Sequence, residues 1–449
     1  MDAGRGLFLE YMSALSGHVL GNMGMGYRYL HGIGVIESCE AALPHYEFAA
    51  NYAAEYVQQH GGHVQHPDTQ KLSETMDPSS RWSKRDGTLE LADYYAHLAE
   101  QGDALAAVTL GNMLLIGTRH LETNETRALH YLNLAAEAQN PAGAGLQGYV
   151  LLQKFLQQVE GIANRILKLL QFANKKGDVH GILGMGVSYF HGIGQRANLS
   201  RALDHMERTA GAHMDAGFYI GEICMGLQSF DLSGDGELTS AATRAYTVSA
   251  QLGHTLSQHR LAHLYKRGLS GSVTCKETAK LLKAVAERGP WMEDLAHAHR
   301  LYAEGSEQAA LYLFAQLAAL GVESAQYNAA FILSRCSTRC APGITATAPA
   351  DRVKASNTQN AALTRLYEAR ALTLFDLSAQ QGNSEAFMQL GDFYYYQRAG
   401  LVQAERKREA AEFYQKAADL HHTQAIFNLG IMHEVGDGVS QDFHLAKRY

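Results

Sequence analysis

His60, His63 and His66 follow one another as H-x2-H-x2-H, a spacing that can gather imidazole nitrogens around one divalent ion. A metal centre also needs a further donor and a scaffold that holds the ligands. No cysteine stands at ligand spacing here, only Asp68 offers a carboxylate, and the stretch is polar and interrupted by Pro67. It reads as a solvated loop, so an enzyme built on these histidines is the least supported reading. The run DLSGDGELTSAA, 231–242, spaces Asp231, Ser233, Asp235 and Gly236 as a calcium loop does. Ala242 stands at its twelfth position, where a bidentate glutamate should complete the coordination, so calcium is not expected. HEVGD at 433–437 lacks the second histidine of HExxH, and neither GxSxG nor a P-loop occurs. GIGVIE and GDGVSQ mimic phosphate-binding glycine loops, yet each follows a helical stretch and not a strand, so their glycines read as helix ends. No catalytic, cofactor-binding or metal site is expected. Asn124 (NET) and Asn198 (NLS) form N-x-[ST] sequons, and each also stands where its side-chain oxygen would cap the next helix. Both are candidate N-glycosylation sites.

The elements that carry these residues repeat. GMGYRYLHGIG, 24–34, returns as GMGVSYFHGIG, 184–194. Their central glycines, Gly26 and Gly186, belong to a series. Gly111, Gly148, Gly186, Gly221 and then Ala262 succeed one another at 35 to 41 residues, and Gly391 and Gly430 lie 39 apart. A period of that length marks a solenoid of helix pairs. In the last unit Ala425, Leu429 and Met432 recur at helical spacing and predict the buried stripe of a first helix. Gly430 lies inside that helix, where glycine costs ~1 kcal/mol against alanine. Close approach of a neighbouring helix would offset it. Gly436 and Gly438 end the helix, as do Gly32 with Gly34 and Gly192 with Gly194; Val439 turns back to the core and Asp442 caps the second helix. Ala128, Leu129, Leu132 and Ala135 mark such a second helix in 127–141. One hairpin cannot bury its own stripe, so neighbours must stack.

The bulk numbers agree with an all-α protein, an α-solenoid of helix-hairpin repeats. Across 449 residues 46% are hydrophobic and 18% charged, and there are only 7 prolines, which suits folded helices punctuated by glycine. A net charge of -7 without a basic stripe argues against a nucleic-acid partner. No run approaches the roughly 18 apolar residues that cross a bilayer, and the first 21 residues lack the pattern of a signal peptide. The 5 cysteines are too scattered for a disulfide scaffold; Cys336 and Cys340 alone are close, as a local disulfide or two thiols. Many of the 23 tyrosines fill the repeat slot, among them Tyr27, Tyr29, Tyr94, Tyr95 and Tyr394 to Tyr396, as core or as docking surface. Two stretches break the rhythm, 60–88 and 335–360. They divide the chain into N-terminal repeats at 1–59, middle repeats at 89–334 and C-terminal repeats at 361–449, with the interruptions as insertions or linkers.

The phrase A-x-x-x-L-G-x-x-Y-x-x-G-x-G-V, followed by a helix with A-x-x-[YW]-[YF]-x-x-A-A, resembles the Sel-1-like repeat, a relative of the tetratricopeptide hairpin. The stretches 26–51, 287–333 and 424–449 further resemble the Sel-1-like adaptor of the HRD ubiquitin ligase, which serves endoplasmic-reticulum-associated degradation. That resemblance implies a non-catalytic adaptor on the lumenal side of the endoplasmic reticulum. Its implied partners are the membrane-embedded ligase, lectins, misfolded clients and a second copy of the chain. It also implies that residues from about 385 to 449 meet the ligase. The family carries a signal peptide and a membrane helix, which this sequence lacks. The sequence opens on a second helix, 7–19, and closes on FHLAKRY, partway through a hairpin, so a longer protein is expected. The alternative is a cytosolic Sel-1-like scaffold that regulates a signalling or cell-wall enzyme. In the third repeat the G-x-G-V loop is gone, and the insertion at 60–88 matches the family loosely.

Overall fold

The computed structural model describes residues 3–60, 71–73, 88–117, 121, 123–156, 162–228, 236–269, 273–335, 352–400 and 406–449. Among these residues there is no strand; twenty-two α-helices carry the fold. The chain forms two compact units, one of Met1–His66 with Arg81–Pro290 and one of Pro67–Ser80 with Trp291–Tyr449. None of the described helices is long and apolar enough to cross a membrane.

Unit 1 opens with α1 (Ala3–Leu15), α2 (Val19–His31) and α3 (Cys39–Gln59), and continues with α4 (Thr88–Glu100), α5 (Ala104–Ile116), α6 (Glu125–Glu137) and α7 (Pro141–Leu156). Then follow α8 (Ala163–Lys175), α9 (Val179–His191), α10 (Leu199–Glu207), α11 (Met214–Gln228), α12 (Glu237–Gln251), α13 (Thr255–Lys266) and α14 (Cys275–Ala286). Unit 2 holds α15 (Glu293–Ala303), α16 (Glu307–Ala319), α17 (Glu323–Arg335) and α18 (Arg352–Gln380). It ends with α19 (Ser384–Tyr395), α20 (Arg406–Asp419), α21 (Thr423–Val435) and α22 (Phe443–Arg448).

Many of the hairpins have chemical punctuation at their ends. First helices start on a capping side chain that accepts a backbone N–H of the first turn, as Asp103 does for α5, Asp178 for α9 and His254 for α13. Three of them, α2, α9 and α21, end on a glycine in the left-handed region, Gly32, Gly192 and Gly436 at φ of 67°, 71° and 76°, a conformation that costs glycine nothing and places its N–H on the last free carbonyls. Second helices start on Ser38, Asn124, Asn198, Thr274 or Asp442.

Between the ends, the mid-helix glycines sit where helices touch. A methyl group on Gly26 would stand 3.0 Å from the Tyr46 ring, on Gly111 2.8 Å from Leu132, on Gly148 2.9 Å from Leu170 and on Gly186 3.1 Å from His205. On Gly221 and Gly391 it would run into the rings of Tyr246 and Tyr414. Gly430 is different, with Ala446 O at 3.5 Å as its nearest neighbour. Leu170 of α8 is fully buried and lies against both Gly148 of α7 and Gly184 of α9. One leucine therefore joins three helices, and deleting its side chain would cost ~2 to 5 kcal/mol.

The order of packing in unit 1 departs from the order of the chain. Besides α2, the main partner of α3 is α14, with α13 beside it. The facing surfaces are small and oily: Ala42, Ala49, Ala50 and Ala53 of α3, and Ala279, Leu282, Val285 and Ala286 of α14, are all buried. A disulfide joins Cys39 to Cys275 across 236 residues of sequence, with Cα atoms 6.1 Å apart. Beside it Lys276 Nζ lies 3.0 Å from Glu37, and Lys266 Nζ 2.5 Å from Glu47. Sequence spacing singles out only Cys336 and Cys340, which lie outside the described residues.

Candidate functional site

The first helices α7, α9, α11 and α13 of unit 1 line a cleft of about 560 Å3, to which α3 contributes Asn51, Ala54, Glu55 and Gln58. Phe190, Phe218 and Tyr219 supply aromatic surface. Tyr219 meets Phe190 edge to face at 5.3 Å and Phe218 at 5.5 Å. Burial, then the carboxylates of Asp215 and Glu222, push the Tyr219 hydroxyl well above its ordinary range, so it stays a hydrogen-bond donor. The side-chain amides of Asn51, Gln58 and Gln153 add groups that both donate and accept.

A polar chain runs beneath this surface. Asp215, 4% exposed, accepts from the Tyr149 hydroxyl, and its Oδ1 lies 3.7 Å from His254 Nε2 and 3.9 Å from His213 Nδ1. His254 Nδ1 is 2.9 Å from Ser257 Oγ, which is 2.7 Å from Ser249 Oγ, which donates to Met214 O at 2.6 Å. The order carboxylate, imidazole, hydroxyl is that of an acyl-transfer relay. Its surroundings are not. Ser257 and Ser249 have no exposed surface, and His254 Nδ1 accepts the Ser257 N–H that opens α13. This chain fastens α11, α12 and α13 together, and its hydroxyls are out of reach of a substrate.

At the edge of the cleft α3 and α13 share a second polar cluster. His259 Nε2 lies 2.8 Å and His263 Nε2 3.3 Å from Asn51 Oδ1, and the two imidazoles are 3.1 Å apart. Burial, then the neighbouring His263 and Arg260, bring His259 down to about 4, so it is neutral at neutral pH. Arg260 pairs with Glu222 at 2.8 Å, and Tyr246 donates to the same carboxylate.

The residues singled out from sequence are dispersed. His60 ends α3 with Nδ1 2.8 Å from Tyr56 O, while His63 and His66 lie outside the described residues. So do Asp231, Ser233 and Asp235; Gly236 precedes α12, and Ala242 is buried within it. Among the described residues no cluster of histidine, cysteine and carboxylate is placed to hold a metal ion. Asn124 and Asn198 are exposed, and their Oδ1 atoms accept from Arg127 N at 2.9 Å and Arg201 N at 3.0 Å. The repeat period gives α7, α9, α11 and α13 as successive first helices, but it gives neither α3 as the fifth lining element nor which side chains of each helix face the cleft. The one available signal was His254, which follows Gly253 as Asp103 follows Gly102 and Asp178 follows Gly177.

Stacked hairpins with this punctuation define a repeat protein, and the Sel1 repeat matches residues 20–51, 104–140, 179–212, 255–274, 384–422 and 423–449. These six stretches of the chain are Sel1 repeats. The chain's homologues include Protein sel-1 homolog 2 of Rattus norvegicus, 30% identical over 449 residues, which are 100% of this chain and 60% of the relative. They also include the ERAD-associated E3 ubiquitin-protein ligase component HRD3A of Arabidopsis thaliana, 36% identical over 163 residues, which are 36% of this chain and 22% of the relative. The chain thus spans about 60% of the length of the sel-1 homolog. A protective antigen of uropathogenic Escherichia coli with an SLR fold matches 98% of this chain and 77% of its own at 20% identity, with a TM-score of 0.32.

Proposed function

We propose that this chain is a non-catalytic adaptor on the lumenal side of the endoplasmic-reticulum membrane. In this reading it links a membrane-embedded HRD-type ubiquitin ligase to lectins and misfolded clients. The observation that carries it is the 36% identity to HRD3A, a protein whose name places it in such a ligase. The Cys39–Cys275 disulfide supports the lumenal side, because the cytosol keeps thiols reduced. It speaks equally against a cytosolic scaffold for a signalling or cell-wall enzyme.

Two surfaces suit the role. The cleft of unit 1 offers amides to the backbone of an extended client segment and aromatic rings to its side chains. Its hydrogen bonds would tolerate many sequences. On α21, Phe427, Ile431 and Val435 are exposed at helical spacing, and Phe443 of α22 is 65% exposed. That apolar face fits the ligase or a second copy of the chain. At Asn124 and Asn198 the cap uses Oδ1 whereas glycosyl transfer uses Nδ2, so each asparagine can do both.

The test is a protease-protection and co-purification experiment on the full-length protein in microsomes. We expect it to be shielded until detergent is added and to co-purify with the HRD ligase. Its gel mobility should shift with glycosidase, and Thr126→Ala with Ser200→Ala, which spare both caps, should abolish that shift. Protease-accessible protein without the ligase would rule the reading out.

A further inference from the structure

α17 of unit 2 is buried along ten consecutive residues, Ser324 to Leu333. A helix packed only between α16 and α18, its two main helical neighbours, would keep a polar face in water. Part of what covers this one is a piece of the region 60–88, which sequence reading treats as an insertion. Leu72 is 1% exposed, and its backbone N–H donates to Asn328 Oδ1 of α17 at 3.0 Å. Asn328 has no exposed surface. Lys71 Nζ stands 5.9 Å from the centre of the Tyr327 ring, and the Tyr327 hydroxyl donates to Glu385 of α19 at 3.3 Å. Burial pushes the Glu385 carboxyl up, but His422 at 2.6 Å and then Lys71 outweigh it and hold the group below the usual range.

These contacts have the anatomy of peptide recognition. A buried side-chain amide reads the backbone, an apolar site takes one leucine, and a ring backed by a carboxylate takes a cation. Nothing in this set requires the segment to be covalently part of the same chain. We propose that Tyr327, Asn328 and Glu385 form a docking site for short segments of cation–leucine type whose leucine enters a helical turn, as Leu72 does, and that Lys71–Ser73 fills it as an intramolecular ligand. A partner protein carrying the same chemistry must displace that segment, whose tether gives it a high effective concentration. The site therefore responds to partners that present several such segments or bind elsewhere as well. This inference is independent of the ligase reading and can fail without it.

The probe is a fluorescent synthetic peptide with the sequence of residues 67–77, titrated into the full chain and followed by anisotropy. Leu72→Asp should vacate the site, so that this variant binds the peptide at least about tenfold more tightly than the unaltered protein does. Adding Asn328→Ala should take away about tenfold of that gain, and a peptide with aspartate in place of its leucine should not bind. Equal binding by unaltered and Leu72→Asp protein, or none by either, overturns the proposal. Should Leu72→Asp fail to fold, amide exchange at Leu72 in the unaltered protein decides. Exchange slower than in the free peptide by about tenfold supports the site, and exchange at the free-peptide rate overturns it.

Discussion

At the scale of single residues, the repeat glycines show how one position type can carry different energies. Alanine in place of a mid-helix glycine gains ~1 kcal/mol of helix propensity. At Gly221 the added methyl would drive into the Tyr246 ring, which is 1% exposed and held through its hydroxyl to Glu222. Overpacking of that kind costs ~1 to 3 kcal/mol, so the strain wins. Gly221→Ala should lower unfolding stability by up to about 2 kcal/mol. At Gly430 the nearest atom is 3.5 Å away, an ordinary contact, and Gly430→Ala should be neutral or stabilising by up to ~1 kcal/mol. Urea titrations of the two variants compare them directly. Equal effects would remove close helix approach as the reason for the glycines. The series Gly111 to Gly221 is legible from spacing alone, but the partner ring at Tyr246 is not, because spacing along a chain says nothing about which side chain lies across the interface.

Among elements, the contact of α3 with α13 is the one that chemistry makes conditional. Folded, His259 takes a proton only near pH 4; in an unfolded chain it does so near 6.5. Between those values the unfolded state binds a proton that the folded state refuses. Stability is therefore complete above 6.5 and declines as the pH falls toward 4, by roughly 3 kcal/mol for this group. Facing it are Asn51 from α3 and His263 and Arg260 from its own helix. Burial lowers His263 and, with Lys283, His31 in the same direction, while Glu47 and Glu37 pull them back. A His259→Gln variant keeps a hydrogen-bonding side chain without the titration. Its melting temperature should fall less between pH 7 and 5 than that of the unaltered protein. Parallel pH profiles would show that His259 is not the group responsible.

On the scale of the whole molecule, unit 1 is held by a bond between distant parts of the chain. Cys39 and Cys275 close 236 residues, and the chain-entropy argument assigns such a loop roughly 5 kcal/mol of denatured-state destabilisation. Cys39→Ser should therefore melt at a lower temperature, and its melting should not respond to dithiothreitol, whereas dithiothreitol should lower that of the unaltered protein. Indifference of the unaltered protein to dithiothreitol would show that the bond contributes nothing. Because α3 lines the cleft with Asn51 and Gln58, the same bond keeps that lining in place.

The sequence by itself determined the helical hairpins, their caps and their period, since those depend on the chemistry of residues three to forty positions apart. It identified Gly436 as a helix end and Asp442 as a cap from local patterns alone. It did not determine that α3 packs on α14, that Cys39 meets Cys275, or that Asp215 and His254 share one buried chain. Every hairpin of such a repeat offers a similar apolar stripe, so the pattern permits many neighbours equally. Only the tertiary structure, in which α3 with its buried alanines packs on α14 with its buried Leu282 and Val285, decided which pair of stripes would meet.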